Sequence, residues 1–226
     1  MSVSVILAAM DEEVDALKNR LADYEETTVD FQPAWRFFLR GEEYLLMKGR
    51  IGKVNTAMLL ARLALTLDLQ RVFNIGTTGG IHPDLKIGDI VVATKVGYYD
   101  VDLTIFDYAP GQLPHEPRYY ACDRDYLKAK RIAFDARVKE GIILSGDNFL
   151  HRGNIGKFSI DRGEVMCCDM ESAAVGQVCT RYGIPFLVIR SISDLVFEDF
   201  DRANNDADVR LSSSRSASLL WDILRR

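Results

Sequence analysis

Basic charge is the first thing this sequence is short of. Lys and Arg number 28 against 33 Asp and Glu, a formal net charge of −5. Without a cationic excess there is no electrostatic footprint for a phosphate backbone, so no nucleic-acid partner is expected. Histidine is scarce too. His82, His115 and His151 lie far apart, with none of the ligand spacing of a zinc site, and no metal is expected. The four cysteines, Cys122, Cys167, Cys168 and Cys179, form neither a CxxC pair nor a disulfide framework. No apolar run approaches the roughly 18–20 uncharged residues that a membrane span needs. The opening Met1-Ser2-Val3-Ser4-Val5-Ile6-Leu7 has no basic region before Asp11-Glu12-Glu13, so no export signal is expected, and reduced thiols in a cytoplasm are the simple reading. Linkers, repeats and low-complexity tracts are also missing, and one domain over residues 1–226 is expected.

What the chain does have is core-forming residues. Hydrophobic residues make up 48% of its 226 positions, enough to build a sizeable core and to exclude disorder as the main state. Val3 to Ala9 reads as a buried strand. Val14, Leu17 and Leu21 follow at helical spacing, with Asp11 as a candidate cap. Trp35 to Leu39 and Tyr44 to Lys48, parted by Gly41, read as a hairpin. Val54 to Thr66 reads as a helix buried on most sides. Arg71 to Ile75 reads as a short strand broken by the turn Gly76-Thr77-Thr78-Gly79-Gly80. Asp89 to Lys95, Gly141 to Leu144 and Phe186 to Ile192 read as further strands. Helices are expected from near Asp123, from Glu171 to Tyr182 with Gly183 and Pro185 as the stop, and from Ala207 to Leu224. Tyr98 to Pro114 is aromatic and irregular, and its Tyr98, Tyr99, Phe106 and Tyr108 look exposed. Strands alternating with helices predict a three-layer αβα architecture around a central mixed, largely parallel sheet.

In such sheets ligands bind beyond the carboxyl ends of the strands. Several strands here end in polar or glycine-rich segments: Asp11-Glu12-Glu13, Gly76 to Gly80, Ser145-Gly146-Asp147 and Ser193-Asp194. Each has a plain reading as well. Glu12 and Glu13 suit the first turn of any helix, Asp194 could be a loop acid, and the glycines could serve a tight turn without a ligand. Asp169 and Glu171 are harder to dismiss. They sit among Cys167, Cys168, Met170 and Ala173, and a buried acid without a partner is costly. Acids from distant segments suggest acid–base work without metal, one protonating a leaving group while another activates water.

Taken together, the segments resemble a known family, the 5′-methylthioadenosine/S-adenosylhomocysteine nucleosidases of the purine nucleoside phosphorylase-like superfamily. The matching pieces are Ile6 to Val14, Arg50 to Ala57, Asn74 to Gly80, Leu85 to Val92, Tyr98 to Pro114, Ser145 to Phe149, Asp169 to Val175 and Pro185 to Asp194. They occur in the family's order and cover most of the chain. The resemblance implies hydrolysis of an N-glycosidic bond without a cofactor, releasing adenine and a thioribose. It places Glu13 at the water-activating glutamate, with Thr77 and Arg190 helping to hold the water. Asp194 falls at the acid that protonates adenine N7, with Ser193 beside it. Glu171 falls at the glutamate that binds the ribose hydroxyls, next to Met170. Phe149 matches the ring that stacks on adenine, and Leu150 the residue whose backbone reads the base edge. Ile51 and Gly79 line the sugar side. The resemblance further implies a homodimer in which Leu103, Phe106, Tyr108 and Pro114 cover the neighbour's 5′-alkylthio pocket.

The sequence departs from the family pattern in three places. Thr77 stands where serine is usual, Asp169 where glutamate is usual, and Leu195 to Phe200 replace the stretch that supplies an aromatic lid, leaving Phe197 or Phe200 for that role. The 5′ substituent therefore stays open among S-adenosylhomocysteine, methylthioadenosine, 5′-deoxyadenosine and aminodeoxyfutalosine. A nucleoside phosphorylase is the nearest rival. Phosphate wants arginines, and this chain has Asn74 and Met10-Asp11-Glu12-Glu13 where such enzymes carry their phosphate-binding residues. A non-catalytic binding or storage protein on the same fold is the rival from another class.

Overall fold

The computed structural model describes residues 2–199 and 202–226. Among the described residues ten strands and five α-helices follow one another. The strands are β1 (Val3–Ala8), β2 (Glu25–Val29), β3 (Gln32–Leu39), β4 (Glu42–Lys48), β5 (Leu69–Gly80), β6 (Ile90–Tyr98), β7 (Tyr119–Ala121), β8 (Val138–Ser145), β9 (Val165–Asp169) and β10 (Phe186–Leu195). The helices are α1 (Asp11–Lys18), α2 (Lys53–Thr66), α3 (Arg124–Ala129), α4 (Ser172–Tyr182) and α5 (Arg202–Leu224).

The mixed sheet is present as expected, with one feature that hydropathy does not reveal. Its strands run β10-β6-β8-β9-β5-β1-β4-β3-β2, and β10 pairs back onto β5. Five strands thus close into a ring, from which β1, β4, β3 and β2 extend as an open wing. β1, β4, β5 and β10 are mutually parallel through adjacent pairs. β9 runs against β5, and Gly79 opposes Cys168 where the two carboxyl ends meet. Apolar side chains fill both faces. Val5, Leu7, Leu45, Leu60, Val72, Val188 and Cys179 form one cluster, and Ile6, Leu17, Leu46, Phe73, Ile189, Leu220 and Ile223 the other. Alternation along β1, with Val5 and Leu7 on one side and Ile6 on the other, is the pleat sorting a continuous apolar run into two cores.

Four local expectations are corrected. β5 does not stop at Ile75 but runs through Gly76 to Gly80, hydrogen-bonded to β10 throughout that stretch. Gly76 is needed there for closeness rather than for a turn, because a Cβ would run into Arg190 Nη1 and the Glu13 carboxylate. Asp11 is the first residue of α1 and not its cap. The Glu13 carboxylate takes the free N–H groups of Ala9 and Met10 instead, and Asp11 pairs with Lys48. α2 is not buried on most sides: Val54, Met58 and Leu65 are 67%, 63% and 73% exposed. Tyr98 and Tyr99 are buried, their hydroxyls donating to Gln177 Oε1 and to the Asn148 carbonyl. The wing also gains β2, a polar strand (Glu25-Glu26-Thr27-Thr28-Val29) with no apolar alternation to announce it. Its link to β3 and the β3–β4 link are two-residue turns, Asp30-Phe31 and Arg40-Gly41, with positive φ at every position.

α4 packs close to the ring through Gly176. A Cβ there would lie 2.5 Å from Val96 Cγ2 and 2.9 Å from the Tyr120 Cβ. Gly176→Ala therefore sets a helix-propensity gain of about 1 kcal/mol against an overpacking cost of about 1–3 kcal/mol. The cost is expected to win, and urea unfolding should show a lower midpoint with an unchanged slope.

Candidate active site

The carboxyl ends of β1, β5, β8, β9 and β10 open onto one cavity. Beyond β1 lie Ala9, Met10 and Glu13. The loop after β4 supplies Ile51, β5 supplies Thr77, Thr78 and Gly79, and the loop after β8 supplies Asn148, Phe149 and Leu150. Cys168, Asp169, Met170 and Glu171 come from the end of β9 and the start of α4, and Ser193 and Asp194 from β10. Glu13 and Asp194, remote in sequence, face the same space. Among the described residues the cavity is lined by four acids and no Lys, Arg or His. Among the described residues no cluster of His, Cys, Asp and Glu could hold a metal ion.

Glu13 is buried and fixed at both oxygens. Oε2 accepts from the N–H groups of Ala9 (2.8 Å) and Met10 (3.1 Å), and Oε1 from the Thr77 N–H (2.8 Å) and hydroxyl (3.3 Å). All four partners are donors, so the carboxyl is presented as an acceptor. Across the cavity, burial pushes the Asp194 carboxyl above the usual aspartate range, partly offset by the hydrogen bond that Ser193 Oγ donates to its Oδ1 at 2.8 Å. Ser193 can also donate to the Thr78 carbonyl. Burial raises the Cys168 thiol as well, so it faces the cavity as a neutral group.

Glu171 enters from the start of α4. Its Oε1 accepts from the Gly52 N–H at 2.9 Å and its Oε2 faces Arg190 Nη2 at 3.3 Å. Burial pushes its carboxyl up to about 7, against the pull of Arg190 and with the repulsion of Asp169 and Glu13 adding to it. Arg190 is 1% exposed and lies behind the wall. It donates to Asp169 Oδ2 (2.8 Å), Asn74 Oδ1 (2.6 Å), the Ile75 carbonyl (3.2 Å) and Ser172 Oγ (3.3 Å). Arg190 is not part of the lining itself.

The structure therefore gathers Glu13, Ile51, Thr77, Gly79, Phe149, Leu150, Met170, Glu171, Ser193 and Asp194 around one space. Leu103, Phe106, Tyr108 and Pro114 stand outside this chain's own cavity lining, and Phe106 is exposed. Phe197, one candidate for an aromatic lid, packs into the cluster of Ile81, Leu150 and Val196 beneath the Arg162 guanidinium and does not line the cavity. Phe200, the other candidate, lies outside the described residues. Sequence reasoning missed Ala9, Met10, Thr78, Asn148 and Cys168 as lining residues. Asn148 could have been found, since it sits beside Phe149 in a strand-end loop. Thr78 was hidden by reading its strand as a turn.

The ring-closed mixed sheet and its terminal cavity agree with comparison to known proteins. The family model described as the phosphorylase superfamily matches residues 4–225, and the chain belongs to that superfamily. Within it, the chain belongs to the 5′-methylthioadenosine/S-adenosylhomocysteine nucleosidases. It is 35% identical to that nucleosidase of Halalkalibacterium halodurans, covering 98% of this chain and 97% of the relative. The Marinomonas relative of the same name is 32% identical over 100% and 99% of the two chains. Among solved structures, the S-adenosylhomocysteine nucleosidase of Streptococcus pyogenes in complex with 5-methylthiotubericidin superposes with a TM-score of 0.88 at 32% identity, over 99% of this chain and 97% of that one.

The position of Glu171 couples the site to stability. An unfolded glutamate titrates near 4.5 and the folded one near 7. Its contribution is therefore complete below about 4.5 and is lost as pH rises through 7, because the folded state then holds a proton that the unfolded state has released. Glu171→Gln abolishes this loss. The variant is expected to gain stability over the parent between pH 5 and 8, by on the order of 3 kcal/mol at the upper end. Urea titrations across that range check it.

Proposed function

We propose that the chain hydrolyses the N-glycosidic bond of 5′-methylthioadenosine and S-adenosylhomocysteine, yielding adenine and the thioribose. The observation that carries the reading is a cavity with Glu13 and Asp194 on its walls, four acids in its lining and, among the described residues, no cation. Breaking the bond builds positive charge on the sugar and negative charge on the departing base. Asp194, kept protonated further towards neutrality by burial, supplies a proton to the purine at N7. Glu13 accepts a proton from water as that water attacks the sugar. The Thr77 hydroxyl, at the long end of its bond to Glu13, is placed to turn and steady the water. Glu171 meets the ribose hydroxyls beside Met170, Ile51 and Gly79. Phe149 stacks on the base, and the Leu150 backbone reads its edge.

The same lining argues against phosphorolysis. A phosphate dianion needs cations around it. The buried guanidinium of Arg190 lies behind the wall and is spent on Asp169, Asn74, Ser172 and Glu171. Asn74, where a phosphorylase carries arginine, is buried in that same network. Adenine release from methylthioadenosine is expected at equal rates with and without phosphate, and a strict phosphate requirement would reverse the choice. Asp194→Asn is expected to lower kcat by at least about a hundredfold while a non-hydrolysable nucleoside still binds, as titration calorimetry would register.

The working unit is a homodimer. Val54, Met58 and Leu65 form one stripe along α2, and Ile105 and Phe106 are 86% and 68% exposed nearby in sequence to the cavity-covering candidates Leu103, Tyr108 and Pro114. Exposed apolar stripes of this kind mark association surfaces. Met58→Glu with Leu65→Glu is expected to give monomers in sedimentation velocity with much weaker methylthioadenosine hydrolysis. No helix among the described residues is long and apolar enough to cross a membrane, and four buried free thiols suit the reducing cytoplasm in which we place the reaction.

A further inference from the structure

Asp169 has no part in the scheme above, yet it is the most heavily bonded acid near the cavity. Its Oδ1 accepts from Ser145 Oγ at 2.5 Å and from the N–H groups of Glu171 (3.3 Å) and Ser172 (3.2 Å). Its Oδ2 accepts from Arg190 Nε at 2.8 Å and from Ser172 Oγ. Asp169 therefore grips Glu171 twice, through the Glu171 main chain and through the guanidinium that faces the Glu171 side chain. The two acids compete for one cation on unequal terms: the Asp169 contact is 2.8 Å and the Glu171 contact 3.3 Å.

We propose that Asp169 is a positioning residue for Glu171, claiming Arg190 as its own partner so that the Glu171 carboxyl reaches the sugar side of the cavity incompletely neutralised and able to carry a proton. The charged and titratable groups around Glu171 bear this out element by element. β10 offers Arg190, and further off Asp194; β9 offers Asp169 and the neutral Cys168; α1 offers Glu13. From the start of α2, next to the Gly52 N–H that Glu171 binds, Lys53 is already held between Asp100 at 2.7 Å and Asp147 at 3.3 Å. Asp169 and Glu171 thus share one guanidinium, and Glu171 holds the weaker share. The upward displacement of the Glu171 carboxyl agrees with that share. A carboxyl that keeps its proton can donate to a ribose oxygen in the ground state.

The meaning for catalysis rests on the nucleosidase reading, but the test does not need turnover. Full-length protein with 13C-labelled glutamate carboxyls is titrated by NMR, and the Glu171 resonance is assigned as the one missing from Glu171→Gln. In the parent it is expected to titrate near neutral pH. Asp169→Asn keeps the shape but removes the competing charge, and Arg190 is then free to pair with Glu171. The resonance is expected to move down by one pH unit or more, and the neutral limb of kcat/KM against pH should move with it. Asp169→Glu, the residue usual in the family at this place, restores a neutral-range titration. A structural role alone would lower stability and leave the titration where it was. A Glu171 resonance unmoved in Asp169→Asn overturns the proposal. So does a parent resonance in the ordinary glutamate range, which keeps the test decisive even if Asp169→Asn does not fold.

Discussion

The pairing of Arg190 with Asp169 is the interaction on which the rest of the site depends. Arg190 is the largest wholly buried side chain among the described residues, and a guanidinium at that depth is tolerated only when its nitrogens find acceptors. The acceptors come from β5 through Asn74 and the Ile75 carbonyl, from β9 through Asp169, and from the start of α4 through Ser172 and Glu171. Ser145 at the end of β8 ties in by donating to Asp169 and accepting from the Ala173 N–H. One charge thus fastens three strands and a helix at the point where the ring of strands closes. Removing Arg190 strands the Asp169 charge in the core, a defect that costs about 3–5 kcal/mol in comparable settings.

That arrangement explains how a cavity can be acidic without flying apart. Four acids line it, but each has a separate means of being there. Glu13 sits among donors at the start of α1, where the helix dipole favours negative charge. Asp169 has Arg190. Glu171 and Asp194 are displaced upward by burial, so each can shed its charge by holding a proton. Chemistry that needs both a proton donor and a proton acceptor within one nucleoside's reach is served by pushing like groups apart in this way.

Much of this could be read from the chain before its coordinates, and the failures share a cause. Strands such as Val3 to Ala8 and Phe186 to Ile192 are apolar enough to declare themselves, and the acids at their ends were visible as departures from that pattern. Gly76 to Gly80 was misread because glycine ordinarily signals a turn, whereas here it leaves room for side chains to press against an extended strand. The stripe on α2 was assigned to the core because hydropathy cannot tell a buried face from one waiting for a partner. Tyr98 and Tyr99 went the other way, their hydroxyls satisfied by Gln177 and Asn148, acceptors that no local pattern predicts. The place of Arg190 was out of reach for the same reason. Its partners lie 18 to 116 residues away, and only the closing of the sheet brings them together.

Gly76 shows how finely the charges are kept apart. The space where its Cβ would be lies between Arg190 Nη1 on one side and Glu13 Oε1 on the other. The two groups come near each other without joining: Arg190 forms ion pairs with Asp169 and Glu171, while Glu13 is satisfied by backbone N–H groups and Thr77. Had Glu13 taken the guanidinium as its direct partner, its charge would be spent on a salt bridge and its lone pairs turned away from the cavity. Instead the two stay apart on either side of the place a Gly76 Cβ would take. Glu13 keeps its acceptor character, the guanidinium serves Asp169 and Glu171, and a residue without a side chain is what lets the two groups stand so close together.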